Sequence, residues 1–272
     1  MESSRAIACD PSSTGVHELA PEDVSSERDR LRRLLTATRL VVADAVASCV
    51  TACVLWDLPV PAMSQRAHVC SARHVRRNEL LAHRRSVDGS IDLDGIAVTT
   101  PVQTFIDVGL EVGAGWHLAI GDAMVQKGLL TADELRQMVI ALPSTRGISA
   151  ARRTAALVRS GSESPMESIL RWAILAAGLP EPAVNARVLD DGGWLARVDL
   201  SYPAQRIAIE YQGDQHRSDK RQWHGDISRT RGLQTAGWQV IFASADDIAR
   251  PHSVLMSIRT GLADRGWVPD TG

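Results

Sequence analysis

Two acids stand out by their place in the run RVDLSYPAQRIAIEYQGDQH, residues 197–216. Strand alternation groups Trp194, Ala196, Val198 and Leu200 on one face and turns Arg197 and Asp199 to the other. In the next strand Ile207, Ile209 and Tyr211 share a face, and Ala208, Glu210 and Gln212 line the opposite one. A hairpin centred near Ala204 and Gln205 sets Asp199 opposite Glu210. Two carboxylates across a ladder repel. A hard divalent cation, Mg²⁺ or Mn²⁺, removes that penalty, and such ions are commonly held by one or two carboxylates plus substrate phosphate. The chemistry this pattern suits is therefore the binding of a hard divalent cation beside a phosphate-bearing substrate.

The elements that position these acids follow from the flanking sequence. Ser164 caps a helix with Pro165 at its first position, an apolar stripe of Met166, Ile169, Leu170, Ala173 and Ile174 follows, and Gly178 stops it. AVNARVL reads as a strand leading through DDGG into the hairpin. A polar helix from about 218 to 236, a buried strand WQVIFAS and a last helix from about 253 to 264 complete this half. In the first half, residues 26 to about 56 read as helical, broken at Pro59 and Pro61. RAHVCS and SIDLDGIAVTT are strand-like, the latter with a Gly-containing turn. TPVQTFIDVGLEV and GWHLAIGDAMVQKG form a helical pair, and Thr131 with Glu134 makes a capping box. The expected division is a disordered tail over 1–25, an α+β domain over 26–160 and a second α/β domain over 161–272, with the Gly-Ser-rich stretch near 160–163 between the two domains.

Composition narrows the classes. At 272 residues with 44% apolar content, the chain suits one large or two ordinary globular domains. A net charge of −2 excludes a global basic field, so contact with nucleic acid must come from a local patch. Arg217, Lys220, Arg221, Arg229 and Arg231 supply one, reading either as a solvated face or as a backbone-neutralising one. The four cysteines are too sparse for a disulfide scaffold. Cys49, Cys53, Cys70 and His74 have spacings that suit zinc, but Cys49 and Cys53 fall in an apolar stripe where a thiol packs as a small hydrophobe. MESSRAIACDPSS lacks the charged-then-apolar order of a signal peptide, and no apolar run approaches the ~20 residues that span a bilayer. The expectation is a cytoplasmic protein without a membrane partner.

The order Glu167, Arg171, GLP (178–180), Arg197, Asp199-Leu200, IEYQGDQH from Ile209, Asp226, Arg229 and Gly237-Trp238 resembles the PD-(D/E)XK nuclease superfamily, in particular its Vsr-like branch, over roughly 163–250. The resemblance implies a restriction-endonuclease-like mixed sheet flanked by helices and a Mg²⁺-dependent DNA endonuclease of repair or defence. It further implies Asp199 and Glu210 as metal ligands and Glu167 as a holder of a second ion or a metal-bound water. His216 then serves as a base or phosphate-orienting group. Gln212 stands where the family has a Lys: it can orient a water but brings no charge. That departure keeps a second reading open, a catalytically degenerate DNA-binding or antitoxin-like regulator. The first half, mostly helical α+β, resembles the abortive-infection-type antitoxin region found before such nuclease domains, on SCVTACVLWDLPVP (48–61) and VTTPVQTFIDV (98–108). A homodimer, or a cognate toxin-like partner, belongs to the same expectation. Glu167 has a plainer reading as well, as a capping residue and ion-pair partner of Arg171.

Overall fold

The chain builds two mixed sheets, each flanked by helices. The structure is a computed structural model, and it describes residues 21–61, 66–190, 193–213 and 220–268, without side chains for 21–26, 189–195 and 220–227. Residues 1–20 of the expected tail over 1–25, and the site residues His216 and Arg217, lie outside the described residues, while 21–25 are helical.

The first half begins with α1 (Pro21–Val41), five residues before the expected start. The long helix expected up to Trp56 is interrupted. After α1 comes β1 (Val46–Ala47), and only then α2 (Cys49–Leu55). Val42, Val46 and Val50 fit a helical stripe, but they are β-branched, and strand pairing in the middle of a sheet outweighs the local periodicity. The strands β2 (Ala67–Ser71), β3 (Leu80–Arg84), β4 (Ile91–Leu93) and β5 (Ile96–Val98) complete a sheet of order β3-β2-β1-β5-β4. Asp94 and Gly95, at φ +54° and +84°, make the tight turn between β4 and β5.

Four helices follow: α3 (Pro101–Val108), α4 (Ala114–Gln126), α5 (Ala132–Ala141) and α6 (Ile148–Ala155). Thr100 caps α3 through the Gln103 N–H, and Thr131 and Glu134 close the expected capping box on α5. One core, including Leu31, Cys53, Val69, Phe105, Leu118 and Val158, unites this half.

The second half starts with α7 (Pro165–Ala176), capped as expected by Ser164, whose hydroxyl accepts the Glu167 N–H at 3.2 Å. Then come β6 (Ala183–Asp190), β7 (Gly193–Tyr202), a short 3₁₀ turn (Pro203–Gln205) and β8 (Ile207–Gln212). Helix α8 (Lys220–Thr235), β9 (Gln239–Ser244), α9 (Ala245–Ala249) and α10 (His252–Asp264) finish it. The sheet order is β6-β7-β8-β9, antiparallel except for the parallel pair β8 and β9. β9 was expected to be buried. It is an edge strand, with Ile241 and Ala243 inside and Phe242 44% exposed.

The two halves are riveted by a buried ion pair. Arg171 of α7 donates through Nη2 to Asp122 of α4 at 2.8 Å, and both side chains are at most 2% exposed. Ser168 and the Arg159 N–H complete the Asp122 carboxylate at 2.7 and 2.9 Å. Arg171 therefore pairs across the halves and not with Glu167, as helix spacing had suggested.

Candidate metal and nucleic-acid site on the second sheet

β7 and β8 pair with Leu200 opposite Ile209 and Tyr202 opposite Ile207. The paired register ends there, and the next residues along the two strands are Asp199 and Glu210. On its other side β7 pairs with β6, Val184 opposite Leu200 and Ala186 opposite Val198, which puts Asn185 across from Asp199.

At this point the simple alternation fails. Ala196 and Val198 pack with Ala208 and Leu233, while Leu200 and Tyr202 pack with Ile207 and Ile209. β6 changes partners at the same place, Val184 joining the latter group and Ala186 the former. At the same level Asn185 is held at φ +47°, a left-handed conformation that Asn tolerates better than most residues. The pleat is interrupted there, so Asp199 sits at a seam between the α7 side and the α8 side of the sheet.

Each acid then acquires a distinct setting. Asp199 is partly buried and accepts the Tyr211 N–H at 2.8 Å. Burial pushes its carboxyl above the usual range, while the Tyr211 N–H and the charge of Arg229 oppose the shift. Glu210, 5% exposed, accepts from Arg229 Nη2 at 2.9 Å. Glu167, 7% exposed, accepts the Glu163 N–H and the Asn185 amide, each at 3.0 Å. Burial raises its carboxyl, and the neighbouring Asp199 charge raises it further. Asn185 also donates to the Gly161 carbonyl. Arg197 points outward and pairs with Glu163 at 2.6 Å.

The expected site residues thus divide. Asp199 and Glu210 share one end of the sheet with the Glu167 charge close by, but the oxygens of the three acids do not all lie within 4.8 Å of one another. A single cage of three carboxylates is not formed, because Glu167 is turned toward the α7 N-terminus and Asn185. The Arg229 guanidinium pairs with Glu210, and its charge also acts on Asp199. Arg229, expected as a phosphate contact, is committed to Glu210 and the Arg197 carbonyl. Gln212 and Arg231 are exposed. Lys220 and Arg221 lie on α8, with side chains outside the described residues, as is that of Asp226. Asn185 was missed by sequence reasoning. The available signal was an Asn in the middle of an otherwise apolar strand, a position where this residue type breaks regular pairing.

Two proteins of Mycobacterium tuberculosis strains, each carrying the name uncharacterized protein (Rv2248 and MT2308), are 29% identical to the chain over 171 residues. The chain spans 63% of the length of these curated relatives, and the match covers 63% of the chain itself. No family model matches the chain, and no solved structure does. This likeness names a relationship without naming an activity. The chemistry has to be argued from the side chains, and what they offer is two hard oxygen ligands at a sheet end, a third acid behind them and one guanidinium in front. Among the described residues no helix is long and apolar enough to cross a membrane.

Proposed function

We propose that the protein is a divalent-metal-dependent DNA endonuclease whose ion is held by Asp199 and Glu210. The observation that supports this reading is that Asp199 and Glu210 are the next residues along β7 and β8 beyond the last paired positions, Leu200 and Ile209. The donor set fits the group: carboxylate oxygens suit Mg²⁺ or Mn²⁺, and a cation beside the raised carboxyl of Asp199 favours its charged form. When bound, the ion polarises the scissile phosphate and lowers the pKa of an attacking water.

The chain's own residues supply the rest. The Tyr211 N–H fixes one oxygen of Asp199. Glu167, through Asn185, holds β6 against the start of α7 and adds negative potential behind Asp199. Arg229, which donates to Glu210 where the cation would sit, would be free to contact the phosphate if a cation took that place. Gln212, exposed at the strand end, orients water without adding charge. His216 supplies the proton acceptor in this reading. The basic run of α8 meets the DNA backbone, in repair or in defence against foreign DNA, inside the cytoplasm.

One observation favours a second reading. The Arg229–Glu210 pair already neutralises one of the two ligands, and with Gln212 in the Lys position this suits a DNA-binding or antitoxin-like regulator that does not cut. The test is incubation of the full chain with plasmid and single-stranded DNA under Mg²⁺ or Mn²⁺, beside Asp199→Ala. Metal-dependent cleavage lost in the variant supports the endonuclease. Salt-sensitive binding without cleavage, equal in both proteins, supports the regulator and overturns the enzyme.

A further inference from the structure

A second site, sharing no residue with the first, lies in the first sheet. β1, β2 and β3 are neighbours, and the Ser48 N–H donates to the His68 carbonyl at 3.1 Å. Cys49 therefore leaves the end of β1 beside His68 of β2. In the parallel pairing of β2 with β3, His83 stands opposite Cys70, two residues along from His68. The start of α2 and the strands β2 and β3 thus deliver a thiol and two imidazoles to one point. Cys49 Sγ lies 3.6 Å from His83 Nε2, and His68 Nδ1 lies 3.2 Å from the same nitrogen. All three ligand atoms fall within 4.8 Å of one another.

These separations have a chemical meaning. With Zn–S near 2.3 Å and Zn–N near 2.05 Å, a tetrahedral site has S···N edges of about 3.6 Å and N···N edges of about 3.3 Å. The two measured contacts match those edges. Hydrogen bonding serves the cluster less well. His83 Nε2 has either one lone pair or one proton to offer, and two groups converge on it. A shared cation satisfies all three at once. Thiolate and imidazole ligands select zinc and similar late transition metals over Mg²⁺.

The backbone and the surroundings agree. Cys49 is held at φ +50°, in the left-handed region that a non-glycine residue enters at a cost, and its side chain is directed into the cluster. Cys49 and His68 are each 3% exposed. Cys49 and His83 also form part of the wall of a cavity of about 580 Å³, together with Arg85, Gln103, Asp107 and Arg146. Three protein ligands with an open side is the arrangement of a zinc site that accepts an exchangeable fourth ligand, in contrast to a closed structural site.

We propose that Cys49, His68 and His83 bind one zinc-class ion whose fourth position opens into this cavity. Binding releases the Cys49 thiol proton to solvent, and the thiolate becomes a ligand.

The full chain is stripped with a chelator and titrated with Co²⁺, then with Zn²⁺. The expected result is a thiolate-to-cobalt charge-transfer band and strong visible bands that saturate at one ion per chain and vanish when Zn²⁺ is added. Cys49→Ser, a one-atom change, loses the charge-transfer band with its circular dichroism unaltered, and His83→Ala weakens Zn²⁺ binding by more than ~10-fold. Cys53→Ala retains the band. Absence of the band in the wild-type protein overturns the proposal whatever the variants do. So does a band that survives Cys49→Ser. Neither result bears on Asp199 and Glu210.

Discussion

Arg229 of α8 reaches across to the end of β8 and donates to Glu210 at 2.9 Å, at the place where the endonuclease reading puts a metal ion. The guanidinium is partly exposed while the carboxylate is buried. Removing the carboxylate's neighbour and adding a competing cation are therefore linked operations, and the linkage can be measured.

Replacing Arg229 with Gln frees Glu210 from a charge-assisted contact worth about 1.5 kcal/mol, which corresponds to roughly tenfold in affinity. The expected outcome is a tighter response to Mg²⁺, seen as a larger rise in unfolding temperature at the same metal concentration. An unchanged response means that Arg229 and the ion do not compete.

The Asp122–Arg171 pair is a different case, since both side chains are sealed. Arg171→Met leaves Asp122 charged in the interior and is expected to cost about 3–5 kcal/mol in denaturant unfolding. Adding Asp122→Leu removes the stranded charge and recovers part of that loss. A double variant no more stable than Arg171→Met contradicts this account of the contact.

His117 sets an acid limit. Its imidazole is 2% exposed, stacks on Phe105 with ring centroids 4.2 Å apart, and is held by burial to a pKa of about 4 against an ordinary 6.5. The unfolded chain takes up a proton near 6.5 that the folded chain refuses until about 4. Stability from this residue is thus complete above the upper value and falls as the pH drops toward the lower one, by about 3 kcal/mol in total. His117→Gln keeps a donor for the Phe105 carbonyl and does not titrate. The difference in unfolding free energy between wild type and variant is expected to change by that amount across the window, and a constant difference contradicts it.

Gly121 allows α4 to approach its neighbours. A Cβ there would lie 2.6 Å from Val158 Cγ2 and 2.8 Å from Phe105 Cε2. Gly121→Ala is expected to cost about 1–3 kcal/mol through overpacking, despite the better helix propensity of Ala. The urea midpoint should fall with an unchanged slope.

Local chemistry was the legible part of the sequence. The Ser164 and Thr131 caps, the Asp94-Gly95 turn and the β7/β8 register all follow from residues close in the chain. Contacts made by distant segments were not legible. Arg171 was matched to Glu167 by helix spacing, but a buried guanidinium takes the carboxylate that the fold seals beside it, and that is Asp122. The break after Val41 was hidden because valines satisfy both periodicities. His68 and His83 escaped notice since only the parallel pairing of β2 and β3 brings residues fifteen positions apart into contact. The spacing of Cys49, Cys53, Cys70 and His74 was weighed for zinc and set against packing of Cys49 and Cys53 as small hydrophobes. Cys53 does pack in the apolar core, His74 is exposed, and Cys49 lies beside two histidines that the spacing did not include. In the candidate site the acids and Arg229 were named from sequence, while Asn185 and the pairing of Arg229 with Glu210 were not.

The central claim is that Asp199 and Glu210 share one hard cation, and Mn²⁺ binding followed by electron paramagnetic resonance tests it most directly. The experiment is run in a Cys49→Ser background to silence the first sheet's cluster. One Mn²⁺ bound per chain, lost in both Asp199→Asn and Glu210→Gln, is the result expected. Binding that persists unchanged in either variant contradicts the claim.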